Sequence, residues 1–189
     1  MKKFAILFML SSIVGQAQTI NNSIEIGDYR EGGIVFYIDD SGEHGLVCAL
    51  EDQSSATTWA KRRSVRKNER LSENFHTSKT IFGNKWDRKK TKINKNAKKL
   101  SKNLKIKAGN KTYSDYYLPS KEDLLKLYEN LEIINEAALK NNGQKFQNSI
   151  YWSSTEYDYT NAMVVNFKDG KEGHYYKNYL YNVRAIRSF

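Results

Sequence analysis

Two short apolar runs rich in β-branched residues lie between positions 33 and 50 of the chain. Gly33–Ile38 and residues 45–50 are almost continuously apolar, and the polar residues 39–44 between them include a glycine. This pattern predicts a pair of strands joined by a turn. Because neither run alternates apolar and polar positions, we expect both strands to be covered on both faces.

A helical period follows in residues 91–105. Ile93, Ala97, Leu100 and Leu104 recur at helical spacing and form one narrow apolar stripe. The opposite side is almost entirely lysine, with no acidic residue four positions away to offset the repulsion between like charges. We therefore expect a helix that is held by packing. Its outward face is a cationic strip made of Lys92, Lys95, Lys98, Lys99, Lys102 and Lys105.

Another helix is predicted after the proline at position 119. Ser120 is suited to be its N-cap, Asp123 occupies the capping-box position, and apolar residues recur from Leu124 to Ile134. The pattern predicts a helix from residue 121 to about 134, which residues 137–140 either continue or follow as a second short turn. Two asparagines and a glycine at 141–143 end it.

The rest of the chain has the pattern of strands. Residues 151–156, 162–167 and 181–188 predict three of them, and residues 168–171 predict a tight hairpin turn. Together with the early strand pair and the two helices, they predict an α+β fold.

Strand alternation also makes a prediction about side chains. It places Trp152, Ser154 and Glu156 on one face of the strand at 151–156. We interpret Trp152 as a core anchor and expect Glu156, on the same inward face, to pair with Arg184 or Arg187.

The beginning of the chain has the composition of an export signal. Lys2 and Lys3 precede an apolar stretch over residues 4–14, and small residues allow cleavage after Ala17. The apolar stretch is too short to span a bilayer. We expect residues 1–17 to be a signal peptide, residues 18–189 to form a single domain, and the protein to be secreted or held at the cell surface.

Charge is concentrated in one segment. The whole chain carries a formal net charge of +10. Residues 61–111 hold 19 Lys and Arg against three acidic residues, so we interpret them as a basic insertion into an otherwise acidic domain. Within it, residues 61–90 show no sustained periodicity and predict a long loop. A polyanion partner and a merely solvated basic surface both fit this composition. Export would exclude intracellular nucleic acid and leave extracellular DNA.

The sequence offers little for catalysis. Cys48 lies in an apolar run, which predicts a small buried residue in a strand and not a nucleophile. His44, His76 and His174 lack the spacing of zinc ligands. We expect no catalytic residue, no metal and no cofactor, and interpret the protein as a non-enzyme.

Short motifs in a fixed order resemble one family. The chain is similar to the DUF1566 family, named for the C-terminal domain of the Legionella collagen-like adhesin, over about residues 27–60 and 112–189. The motifs are GGIVFY at 32–37, GLVCA at 45–49, LPSKEDL at 118–124, YWSSTEY at 151–157 and VRAIRSF at 183–189.

This resemblance implies a secreted or surface module with a binding role. It implies a C-type-lectin-like fold related to sulfatase-modifying factors, in which the terminal strands pair and two helices flank a small antiparallel sheet. The related oxidising enzymes use paired cysteines, and one cysteine cannot supply them. The calcium and sugar site of such lectins contains a proline, whereas the single proline here starts a helix.

Two surfaces are candidates for ligand binding. Acidic or sulfated polysaccharide, or another extracellular polyanion, would bind the lysine strip. Alternatively, a surface protein would bind loops near the C-terminus that are rich in tyrosine and asparagine, because tyrosine rings offer contact area at low entropic cost. The tyrosines of this second set are Tyr175, Tyr176 and Tyr179. The alternation of a half-buried strand would explain the same tyrosines equally well.

Overall fold

The computed structural model describes residues 23–60 and 96–189, and this part of the chain is mixed α+β, as predicted. The predicted signal peptide, the predicted loop at 61–90, Lys92 and Lys95 lie outside the described residues. The elements in chain order are β1 (Tyr29–Arg30), β2 (Gly33–Ile38), β3 (Gly45–Cys48), β4 (Ser54–Thr57), α1 (Ala97–Lys102), β5 (Ile106–Ala108), β6 (Lys111–Tyr113), α2 (Lys121–Glu129), α3 (Leu131–Lys140), β7 (Ile150–Glu156), β8 (Asn161–Asn166), β9 (Glu172–Tyr176), β10 (Tyr181–Val183) and β11 (Ile186–Ser188).

The first sheet has the strand order β1-β2-β3-β11. The predicted strand pair is confirmed, since β2 and β3 are antiparallel neighbours and Ile34 lies opposite Cys48. Ile34, Val35 and Phe36 are all buried although successive side chains point to opposite faces, so β2 is covered on both sides as expected.

The second sheet has the strand order β4-β10-β7-β8-β9, and a separate hairpin is formed by β5 and β6. Helices α2 and α3 contribute Leu124, Leu127 and Ile134 to a core that also contains Phe36 from the first sheet and Tyr151 from the second. This shared core holds the two sheets and two helices together through apolar burial.

The helix predicted from residue 121 to about 134 is divided into two helices in the structure. The capping box is confirmed, because the Ser120 hydroxyl accepts from the Asp123 backbone N–H at 3.0 Å and Asp123 accepts in return. A single helix to about residue 134 is wrong, however, since α2 ends at Glu129. The side-chain nitrogen of Asn130 donates to the Phe36 carbonyl at 3.3 Å, which fixes the junction against β2. The second segment, α3, is a full helix and not a short turn.

The predicted strand at residues 181–188 is also divided. Its first half, β10, pairs with β4 and β7, whereas its second half, β11, pairs with β3 in the other sheet. Arg184 and Ala185 make the crossing. The first and last strands therefore share a sheet but lie at its opposite edges, so the expected pairing of terminal strands is wrong.

Candidate functional site

Helix α1 is attached to the second sheet at its beginning. The Ala97 backbone N–H donates to the Thr58 carbonyl at 2.9 Å, and the Asn96 side chain caps the helix by accepting from the Lys99 N–H at 2.9 Å. Ala97 is buried against a cluster that includes Trp152 and Val183. Packing thus fixes one side of the helix and directs the other side to solvent.

The solvent side of α1 is cationic. Lys98, Lys99 and Lys102 are exposed, and none of them forms an ion pair within the described part of the chain. The helix ends at Lys102 and not at residue 105, because the Asn103 N–H turns back to Lys99 and Ser101 and β5 begins at Ile106. Lys105 is exposed just beyond this end, and the β5–β6 hairpin adds two more exposed lysines of the same kind, Lys107 and Lys111.

A groove of about 310 Å³ runs along this helix. Trp59 provides its aromatic wall, and three of the predicted lysines also line it. The residues that line it are Trp59, Ala60, Asn96, Lys98, Lys99 and Lys102. The groove therefore combines an apolar surface with unpaired positive charge.

Trp59 is held in place by strand β7 and by the turn after β9. Its indole N–H donates to the Ser153 carbonyl at 2.6 Å, and its backbone N–H donates to the Lys177 carbonyl at 3.0 Å. Sequence reasoning did not assign Trp59 to the site, because its position against α1 depends on β7 and on the turn after β9, which are distant in the chain.

Lys177 serves a structural role in the same area. Its ammonium pairs with Glu156 and donates to the carbonyls of Asp158 at 2.7 Å and Tyr159 at 2.9 Å. The prediction that Glu156 faces inward and pairs with Arg184 or Arg187 is therefore wrong. A register shift in β7 between Trp152 and Glu156 interrupts the alternation, so Trp152 is buried and Glu156 is exposed.

The predicted tyrosine set is brought together near this loop. Tyr175 and Tyr176 belong to strand β9, not to a loop, and Tyr179 follows in the turn after it. The ring centroids of Tyr175 and Tyr179 are 6.1 Å apart, and those of Tyr176 and Tyr179 are 5.8 Å apart. Tyr181 connects this group to the core through Trp152, with centroids 5.0 Å apart.

These tyrosines remain accessible. Tyr175 is 39% exposed, Tyr179 43% and Tyr176 54%. Because the Trp59 backbone is bonded to Lys177, next to Tyr176, the tyrosine group and the lysine groove are linked through Trp59. The fold thus connects two predicted sets that are separated by about 70 residues in the chain.

Comparison with known protein families gives a match over most of the chain. The model of the Lcl C-terminal domain matches residues 49–187. The chain belongs to the Lcl C-terminal domain family. This confirms the resemblance to the C-terminal domain of the Legionella collagen-like adhesin and indicates an adhesin-like module. No curated protein gives a match to the chain.

The arginines of the VRAIRSF motif at residues 183–189 stabilise the fold of this Lcl C-terminal domain. Arg184 is buried and its Nε donates to Asp52 at 2.6 Å, while its other nitrogens donate to the carbonyls of Ala49, Gln144 and Lys145. Burial raises the pKa of the Asp52 carboxyl, and the Arg184 guanidinium opposes that shift. This pair satisfies charge inside the fold and leaves no free group for a ligand.

Arg187 is engaged in a second network. It donates to both carboxylate oxygens of Asp115, at 2.8 and 3.1 Å, and to Glu31 at 2.7 Å. The Arg187 guanidinium holds the pKa of Asp115 below its ordinary value. Neither set of partners could be read from the sequence, because the partners lie far away along the chain.

Groups with potential for catalysis or metal binding are few. Cys48 is buried in β3, as predicted, and burial raises the pKa of its thiol to about 11. Across residues 23–60 and 96–189, no cluster of three or more His, Cys, Asp or Glu side chains is arranged to hold a metal ion. The same residues contain no helix that is long and apolar enough to cross a membrane.

Proposed function

We propose that this Lcl C-terminal domain is a non-enzymatic module that binds acidic or sulfated polysaccharide at the cell surface. One observation carries the proposal: the lysines of α1 are exposed, as are the lysines that follow them at positions 105, 107 and 111, and none of these has an acidic partner among the described residues. Basic surfaces of folded domains usually mix both signs. Six like charges in residues 96–111 favour a polyanion that relieves their repulsion.

The groove supports a saccharide over other polyanions. A sugar ring carries apolar C–H faces, and the Trp59 ring offers a flat surface beside Lys98, Lys99 and Lys102. A sulfate or carboxylate on that sugar would then contact the ammonium groups through charge-assisted hydrogen bonds. Repeated acidic sugars would extend along Lys105, Lys107 and Lys111.

The test is binding of heparin and dextran sulfate to the wild-type protein and to a triple variant, Lys98→Gln, Lys99→Gln and Lys102→Gln. Affinity measured by calorimetry should fall at least about tenfold at low salt, and its dependence on salt should become shallower, because fewer counterions are released. Neutral dextran should bind neither protein. Unchanged affinity in the triple variant would overturn the proposal.

A matched control removes the same charge elsewhere. Lys140, Lys145 and Lys168 are exposed and lie outside the cationic surface. Changing all three to Gln lowers the net charge by the same amount, so affinity should remain close to that of the wild type if the location of the charge matters. An equal loss in both triple variants would indicate nonspecific attraction instead.

We also propose that the protein is exported and that its fold is C-type-lectin-like. Lys2, Lys3 and the short apolar stretch before Ala17 support cleavage by a signal peptidase. The resemblance stated above supports a C-type-lectin-like fold. Intact-mass measurement of secreted protein should find a chain that starts near Gln18, and a retained Met1 would contradict export.

A second candidate function is supported by the tyrosine group. Tyr175, Tyr176 and Tyr179 are exposed and in mutual contact, as is common where a surface binds another protein. If polysaccharide binding proves insensitive to the lysines, a protein partner at these rings becomes the better explanation. Changing the three tyrosines to Ser would then abolish adhesion while leaving heparin binding intact.

A further inference from the structure

Strand β9 is an edge of the second sheet. It pairs with β8 on one side, where every residue pair from Val165–Glu172 to Asn161–Tyr176 is in register. Among residues 23–60 and 96–189, no strand lies on its other side. A free edge presents backbone donors and acceptors that another strand can use.

The hydrogen bonds at both ends of β9 show which groups face outward. The Asn166 N–H donates to the Lys171 carbonyl and the Lys177 N–H donates to the Thr160 carbonyl, both at 2.9 Å. Since hydrogen-bonded and non-bonded pairs alternate in an antiparallel ladder, Gly173 and Tyr175 also bond to β8. The backbone groups of Glu172, His174 and Tyr176 therefore point away from the sheet.

These outward groups are largely unused. The Tyr176 carbonyl accepts from the Tyr179 N–H at 2.9 Å. Across the described part of the chain, no other hydrogen bond is formed by the outward backbone groups of Glu172, His174 and Tyr176. Both backbone groups of Glu172 and of His174, together with the N–H of Tyr176, are therefore open to a partner strand.

The edge also lacks the usual features that prevent pairing. Natural edge strands often carry a proline, a lysine or a bulge. Strand β9 contains none of these, and its register with β8 shows no irregularity. The last two residues of β9, Tyr175 and Tyr176, are exposed, and tyrosine is a residue type that is enriched in strands.

We propose that β9 pairs with β9 of a second copy of this chain, antiparallel and centred on His174. The pattern of outward groups is symmetric about this residue, so His174 would bond to His174 of the second copy, and Glu172 to its Tyr176. In that register Tyr175 faces Gly173 of the second copy, whose lack of a side chain accommodates the ring. Two five-stranded sheets would join into one, as an isologous dimer.

This inference does not rest on polysaccharide binding, and its test is separate. Sedimentation equilibrium at several protein concentrations should show a monomer–dimer equilibrium for the wild type. His174→Pro removes an outward N–H on both copies without removing a bond to β8, so self-association should weaken at least about tenfold. His174→Ala keeps the N–H and should dimerise like the wild type.

A cross-link identifies the register. His174→Cys, made together with Cys48→Ala, should give a covalent dimer under mild oxidation, because the two copies of residue 174 lie opposite each other. Lys140→Cys in the same background places an exposed thiol on α3 and should give no covalent dimer under the same oxidation, as read on a non-reducing gel. A wild type that stays monomeric at every concentration, or a dimer that persists in His174→Pro, would overturn the proposal.

Discussion

The side chain of Lys177 lies against Trp59, with its ammonium 4.9 Å from the centre of the indole ring. The same lysine binds Glu156 and two carbonyls of residues 158 and 159, so one cation stabilises a loop and an aromatic wall together. Its charge is used internally, unlike the charges of α1. Two kinds of lysine therefore lie close together, one structural and one available to a ligand.

Lys177→Met should destabilise the domain. The side chain of Lys177 is 14% exposed, so its loss leaves two carbonyls and Glu156 without their partner. We expect the free energy of unfolding to fall by about 1–3 kcal/mol, the range for hydrogen bonds to charged groups and their unsatisfied partners. Urea unfolding measures this. Lys168→Met, at an exposed site, should change stability by less than about 0.5 kcal/mol, and equal effects would contradict the structural role.

Removing one partner of the Arg184–Asp52 pair should reduce the free energy of unfolding more than Lys177→Met does. Arg184→Met leaves the buried Asp52 carboxylate without its cation, and a loss of about 3–5 kcal/mol is expected. The double variant Arg184→Met with Asp52→Leu should recover part of this loss, because no charge is then left buried. A double variant no more stable than Arg184→Met would show that the pair contributes by packing and not by charge.

Cys48 should be inert in the folded protein. Its thiol is buried with a pKa of about 11, so reaction with a thiol reagent at neutral pH should require unfolding. Cys48→Ala should cost about 1 kcal/mol, as for other small deletions in a core, and should leave heparin affinity unchanged. Rapid labelling of native protein, or lost binding in a folded Cys48→Ala variant, would contradict this.

The loop at residues 157–160 should contribute to acid sensitivity. Hydrogen bonds from Asn161 and Thr160 lower the pKa of Asp158 from 3.8 to about 2. Because the folded pKa is the lower one, this stabilisation is fully present above about pH 4 and is lost as pH falls through about 2. Asp158→Asn should therefore reduce stability at neutral pH, with the difference from the wild type disappearing near pH 2. A constant difference at all pH values would exclude the carboxylate as its cause.

Local signals in the sequence predicted much of the fold. The continuous apolar runs of β2 and β3 and the capping box at Ser120 and Asp123 depend on residues close together in the chain, and the structure confirms them. The exposed lysines of α1 followed from helical spacing alone. In contrast, the inward position of Glu156 was wrong, because one irregularity in β7 reverses the faces beyond it.

Features that depend on distant partners could not be predicted. Arg184 and Asp52 are 132 residues apart, and no local pattern identifies one from the other. Strand β9 could not be distinguished from a loop, because an exposed edge strand lacks the clear apolar alternation of a half-buried one. Trp59 was missed for the same reason as Arg184, since its contacts come from β7 and from the turn after β9.

The division of the last strand has a consequence for how the polypeptide folds as it is made. Strand β10 lies inside one sheet, between β4 and β7, and β11 completes the other. Neither sheet can close until these final strands have left the ribosome, and such long-range pairing is intrinsically slow. The two sheets therefore become complete at the same late stage of synthesis, and neither can form as an independent unit before the other.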